Sequence, residues 1–231
     1  FKRKQAEEDL KQAYQAIKES IIKNDLLPGA ELSIDSLANS LGISHTPVRE
    51  AVARLSNDGL INYEAHKQLR VSEITAEDVG QIYEVRRLLE PYAAAQVVEP
   101  FPIAPHLKEK IRATLDKARA LYDCEDTALD YKIYTEIDVE LGELFSIAVK
   151  TDLLKEVYAL VEERSRRVRT FAEAVSDHAQ AKIMRQVTKE HVKILKALLN
   201  GNVETAQKRV IEHLKNGEKR TLNALKAKFS G

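Results

Sequence analysis

Apolar residues recur at helical spacing from early in the chain. Leu10, Ala13, Tyr14, Ile17 and Ile21 share one face and predict an amphipathic helix ending near Asn24, before the turn Leu27-Pro28-Gly29. A shorter set, Ile34, Leu37, Ala38 and Leu41, follows the N-cap candidate Ser33 and stops at Gly42, a residue that leaves a helix easily through left-handed angles. Val48, Ala51, Val52 and Leu55 repeat the i, i+3, i+4, i+7 stripe, and Thr46 as N-cap with Pro47 at the first helical position predicts the start of a third helix. Leu60–Glu64 and Leu69–Ser72 read as two short strands around Ala65-His66-Lys67-Gln68. Past the linker Ser72-Glu73-Ile74 the pattern is helical to the end, with helices at about 76–98, 105–123, 126–148, 151–173, 178–200 and 203–227. Pro100, Pro102, Pro105 and Gly201 fall between them.

The second and third helices form a helix-turn-helix. With the apolar stripe of the third turned inward, Thr46, Arg49 and Ala53 face away. A hydroxyl and a long arginine on the outer face near a helix N-terminus suit a helix that reads the major groove, where N-terminal residues reach base edges. Two packed helices with a solvated face are the alternative.

The segment Ser44-His45-Thr46-Pro47-Val48-Arg49-Glu50-Ala51 resembles the recognition segment of the GntR family of bacterial winged-helix transcription regulators, commonly Ser-Arg-Thr-Pro-Val-Arg-Glu-Ala. His45 stands where the family has arginine. The likeness extends through Leu27-Pro28-Gly29 on one side and Leu55-Ser56-Asn57-Asp58-Gly59-Leu60-Ile61 on the other. It implies a winged helix-turn-helix over residues 1–73 that binds double-stranded operator DNA. Ser44, His45, Thr46, Arg49 and Arg54 would lie on the reading helix, with Lys67 and Arg70 of the wing on phosphate. Gln68 occupies the wing position where the family usually has glycine.

Residues 82–90, Ile-Tyr-Glu-Val-Arg-Arg-Leu-Leu-Glu, with His191-Val192-Lys193-Ile194 and His213, resemble the all-helical FCD effector domain of the FadR-like subgroup. This resemblance covers about 76–227 and implies an effector-binding and dimerisation bundle with an internal pocket. The expected fold is therefore mainly α, a winged helix-turn-helix followed by an all-helical effector-binding bundle, assembled as a homodimer.

Composition narrows the class. The 231 residues carry 36 Lys+Arg against 36 Asp+Glu, with 44% hydrophobic and 31% charged residues, the profile of an ordinary globular chain. Residues 1–72 hold ten of each sign, so any affinity for DNA has to come from local placement of charge. One cysteine, Cys124, excludes an intramolecular disulfide and fits a reducing cytoplasm. No run approaches a membrane span, and Phe1-Lys2-Arg3-Lys4-Gln5 lacks the apolar segment of a signal peptide. The sequence reading places the protein in the cytoplasm, with no membrane partner.

The chemistry sits in the helical half. In many FCD domains a carboxylate and three histidines bind a divalent metal. The resemblance assigns Asp138, His191 and His213 to three of those positions and finds Gly142 where the remaining histidine belongs. It implies a divalent metal such as zinc or nickel, held by one carboxylate and two imidazoles with positions open to water or effector. Across the Asn200-Gly201-Asn202 turn, His191 and His213 lie at comparable heights on antiparallel helices. Histidines buried for structural reasons are the alternative. His178 is too far along its helix from His191 to substitute.

Arg86 matches a family arginine that faces the pocket and could clamp the carboxylate of a small organic-acid effector. Its alternative is a salt bridge with Glu90, four residues on. The basic run Arg164-Ser165-Arg166-Arg167-Val168-Arg169 reads as a solvated face. These features suggest a sequence-specific transcription regulator, not an enzyme, controlled by a small effector. The rival is a metal-dependent enzyme using the Asp/His cluster, which leaves Ser33–Leu60 unexplained.

Overall fold

The computed structural model describes residues 2–63, 68–99, 102–125, 129–175 and 180–229. Among them run helices α1 (Lys2–Ile22), α2 (Ile34–Leu41) and α3 (His45–Asn57), strands β1 (Ile61–Asn62) and β2 (Arg70–Val71), then helices α4 (Ala76–Val98), α5 (Pro105–Asp123), α6 (Tyr131–Ala148), α7 (Asp152–Val175), α8 (Gln180–Leu199) and α9 (Val203–Phe229). The protein is mainly α, as the periodicity predicts. The chain separates into two compact units, Phe1–Thr75 with Arg166–Phe171, and Ala76–Ser165 with Ala172–Gly231.

In the first unit, Leu10, Ala13, Ile17 and Ile21 of α1 close over Val48, Ala51, Val52 and Leu55 of α3, with Ala38, Leu60, Ile61, Leu69 and Val71 completing the core. Helix α1 starts well before its apolar stripe. Lys4, Gln5, Ala6, Glu7 and Glu8 are strong helix formers, and Gln5 bonds Asp9 at 2.8 Å one turn on. Ser33 caps α2, its Oγ accepting from the Ser36 N–H at 3.5 Å, and Gly42 ends it at φ 66°.

Helix α3 begins two residues earlier than expected. Ser44 is its N-cap and His45 its first residue, so Pro47 stands third. Proline fits there because the first four helical N–H groups lack intrahelical partners. The hairpin is shorter than expected: Ile61 pairs with Val71 and Asn62 with Arg70, and the tip, 64–67, lies outside the described residues. Residues 29–32 run along the other edge of β2, with Leu32 N–H bonding the Leu69 carbonyl at 2.8 Å and Val71 N–H the Ala30 carbonyl at 2.9 Å.

In the second unit α4 lies against α9 and α6, while α8 touches α5, α6 and α9. The interior is filled by side chains such as Ile111 and Leu115 of α5, Ile137, Leu144 and Phe145 of α6, Ile194, Leu195 and Leu198 of α8, and Val210 and Leu214 of α9. Asp130 caps α6 by accepting from the Lys132 and Ile133 N–H groups at 2.7 and 3.3 Å. That start is later than the expected 126, and 126–128 lie outside the described residues. The basic run in α7 is not a uniformly solvated face: Arg164 and Arg166 are exposed, but Ser165, Arg167 and Val168 are buried. A helical period must turn some of six consecutive residues inward.

Candidate functional site

The first unit exposes one face of α3. Burial of Val48, Ala51, Val52 and Leu55 forces Ser44, His45, Thr46, Arg49 and Ala53 outward, and all five are exposed. His45, the first residue of α3, sets its Nε2 3.3 Å from Asp35 Oδ1 in the first turn of α2. Arg54 is exposed but not beside Arg49; five residues on, it turns toward α1 and lines a hollow with Glu7, Lys11, Tyr14 and Gln15. Arg70 is held within the wing by the Glu31 carboxylate, by Gln68 Oε1 at 2.7 Å and by the Gly29 carbonyl at 3.3 Å. Its charge is therefore offset by Glu31. Lys67 and His66 lie outside the described residues, as does His178.

The second unit contains a buried polar cluster where α6, α8 and α9 supply one acidic and two imidazole side chains. His191 of α8 is wholly buried, and neither ring nitrogen has a hydrogen-bond partner among the described residues. Its Nε2 lies 3.7 Å from Asp138 Oδ1 of α6, too long for a hydrogen bond. Its ring faces that of His213 on α9, with centroids 4.9 Å apart and planes inclined at 55°. Burial, then the neighbouring His213 charge, push the His191 imidazole down to about 3, so at neutral pH it is an uncharged ring with a free lone pair.

Residues that the sequence reading missed order this cluster. Glu190 accepts from His213 Nδ1 at 2.8 Å, from Asn216 Nδ2 at 2.9 Å and from both terminal nitrogens of Arg220 at 3.0 Å. Burial alone would raise its carboxyl, but the bonds from His213 and Arg220 outweigh that and bring it down to about 2. With Nδ1 of His213 committed to an ionised carboxylate, Nε2 is the nitrogen left for a ligand, the arrangement that orients metal-binding histidines. Glu190 directly precedes His191 and points to another face of α8, so nothing in the spacing marks it. Glu140 and Glu143 are turned away, bonded by Lys117 at 2.5 Å and Lys110 at 2.6 Å.

Arg86 does not stand open. It is buried in α4 with its Nε on the Glu90 carboxylate and its guanidinium 5.1 Å from the centre of the Tyr83 ring, so the fold realises the salt bridge. A Cβ at Gly142 would lie 3.9 Å from the carboxyl carbon of Glu162 on α7, in ordinary van der Waals contact. Among the described residues, no three His, Cys, Asp or Glu side chains stand close enough together to hold an ion as placed. The donor chemistry suits a divalent cation: a carboxylate, a neutral buried imidazole lacking any partner, and a second imidazole with its far nitrogen tied back.

Comparison with known proteins places both halves. Residues 10–71 match the family of bacterial regulatory proteins, gntR family, and residues 81–216 match the FCD domain. The chain is 34% identical to the HTH-type transcriptional regulator YdhC of Bacillus subtilis over 38% of its own length and 39% of that protein's. It is 27% identical to the HTH-type transcriptional regulator LutR of Bacillus subtilis over 86% of its length and 94% of LutR's. The chain thus spans about two-fifths of YdhC and nearly all of LutR. In fold it is similar to E. coli McbR/YncC, with a TM-score of 0.73, 20% identity, and coverage of 93% of this chain and 97% of that one. No helix among the described residues is long and apolar enough to cross a membrane. With a gntR-type winged helix-turn-helix ahead of an FCD bundle, the chain belongs to the FCD-type bacterial regulatory proteins of the gntR family.

Proposed function

We propose that the protein is a homodimeric, sequence-specific regulator in the cytoplasm, whose head, residues 1–73, binds operator DNA and whose helical domain, residues 76–227, binds a small organic acid through a divalent cation. The observation that carries the effector site is the orphaned imidazole of His191. A wholly buried ring with two unpartnered nitrogens is costly unless a ligand, ion or water meets it.

The charge balance ties the organic acid to the metal. Arg86 is held by Glu90 and Arg220 by Glu190, so a carboxylate arriving beside His191 would meet Asp138. A zinc or nickel ion on Asp138, His191 and His213 supplies the missing positive charge and a site for the acid's oxygens. The relatives described above are named as transcriptional regulators, so they give the metal-dependent enzyme reading no support.

For the head, Thr46 and Arg49 on the exposed face of α3 are the base-reading candidates. One short helix addresses few base pairs, which supports a two-fold dimer on a near-palindromic site. The experiment is a salt-dependent shift assay on selected operator DNA, with and without small organic acids, before and after chelation. Arg49→Ala should weaken operator binding by ~1–3 kcal/mol with the fold intact by circular dichroism. Unchanged affinity would remove Arg49 from the interface, and effector response that survives chelation would remove the metal.

A further inference from the structure

Gly142 stands on the face of α6 that carries Asp138, one turn on. A Cβ there would lie 3.9 Å from the carboxyl carbon of Glu162 and 4.0 Å from its Oε1, so the space beside that glycine already holds a carboxylate, reaching across from α7. Positions one helical turn apart have their Cβ atoms about 5–6 Å from each other, which brings this carboxylate to the same stretch of α6 as Asp138. Oδ1 of Asp138 in turn lies 3.7 Å from Nε2 of His191. The pattern of α7 points the same way. Tyr158 and Ser165 are buried seven residues apart, and Glu162, four after the first and three before the second, falls on their inward stripe, half-buried. An acid on such a stripe is the informative exception, since apolar residues fill inward positions by default.

We propose that Glu162 is a further protein ligand of the divalent cation, supplied by α7 in place of a side chain at position 142. This rests on the reading of Asp138, His191 and His213 as a cation site. Each of the four consecutive helices α6, α7, α8 and α9 then gives one donor: Asp138, Glu162, His191 and His213. Two carboxylates and two neutral imidazoles balance a divalent charge, which an ion leaving water for a buried site requires. Bonds of about 2.0–2.2 Å to oxygen and nitrogen ask the donors to close in from where they stand. The glutamate has the most rotatable bonds of the four and closes in without moving α7. An effector acid keeps its place, since its carboxylate can exchange for that of Glu162, charge for charge.

The test titrates the full, metal-stripped chain with Zn²⁺ and, for its visible absorption, with Co²⁺. It compares wild type with Glu162→Gln, Glu163→Gln, His191→Ala and the double variant Glu162→Gln, Gly142→His, each checked for helicity by circular dichroism. Glu162→Gln should weaken Zn²⁺ binding by at least about tenfold, since loss of even an outer partner of a ligand costs that much, and should change the Co²⁺ absorption. Glu163→Gln, turned about 100° away on α7, should match wild type in both. The double variant should regain affinity with its Co²⁺ bands at shorter wavelength, because nitrogen, a stronger-field donor, replaces oxygen. Wild-type Zn²⁺ affinity in Glu162→Gln overturns the proposal. So does weaker binding with the wild-type Co²⁺ spectrum, since Glu162 would then support the site without touching the ion. A double variant that binds no tighter than Glu162→Gln also overturns it, since positions 142 and 162 would not reach the same place. His191→Ala separates the two levels: if it loses the ion while Glu162→Gln does not, the cation site stands and only the Glu162 inference falls. A wild type that binds neither ion removes both.

Discussion

Nδ1 of His213 lies 2.8 Å from Oε2 of Glu190, and that carboxylate is also gripped by both terminal nitrogens of Arg220. The consequence is that the orientation of one candidate ligand, His213, depends on Glu190, a residue outside the candidate ligand set. Glu190→Ala should destabilise the protein by about 3 kcal/mol, because Arg220, only 18% exposed, keeps its charge and loses its partner. Urea unfolding measures this. A loss under about 1 kcal/mol would put the network in the class of surface pairs.

Arg86 and Glu90 form a second buried pair, with side chains 5% and 8% exposed. Arg86→Ala should cost about 3–5 kcal/mol by leaving Glu90 buried without its partner, whereas the double replacement Arg86→Met, Glu90→Leu should cost far less. A single variant with wild-type stability and lost effector response would instead return Arg86 to the effector site.

Tyr14 of α1 donates its hydroxyl to Asp58 at 2.7 Å, and burial followed by that bond raises its phenol above the ordinary value of 10.0. The stability that this gives is complete below the unfolded value and is lost as pH rises through the higher folded value. Alkaline difference titration of wild type against Tyr14→Phe should show the missing tyrosine ionising above pH 10.0. Ionisation at or below that value would contradict the contact.

If a divalent cation mediates effector binding, purified wild type should carry it and His191→Ala and His213→Ala should not. Elemental analysis decides this, and equal metal content in all three would sink the metal site. A side chain at position 142 has room beside Glu162, so Gly142→His should raise metal retention by adding a donor one turn from Asp138. Retention equal to wild type would show that position 142 points away from the site.

Val85, Leu88 and Tyr92 leave an exposed apolar stripe on α4, with Leu88 at 72% exposure. If a second copy covers it, Leu88→Glu should convert a dimer into a monomer by sedimentation at micromolar concentration, with helicity retained. A variant that sediments as wild type would place the interface elsewhere.

The elements and the family were legible in the chain because they rest on local information. The stripes of α1, α2 and α3, the stop at Gly42 and the Thr46-to-Arg49 face follow from a 3.6-residue period and a few special backbone angles, which the residues themselves dictate. The pairing of His191 with His213 was readable for the same reason, since a tight turn between two helices fixes their relative height. What the sequence could not decide was which polar groups find each other across elements. Arg86 had two candidate fates, and only the packing of α4 showed Glu90 and Tyr83 closing over it. Glu190 sits beside His191 in sequence, yet it hydrogen-bonds His213 while His191 only faces that ring, because adjacent helical residues point about 100° apart. Asp35 and His45, ten positions apart, meet through the angle of the turn after Gly42. Periodicity fixes the direction of a side chain on its own helix; only the arrangement of helices supplies the partner.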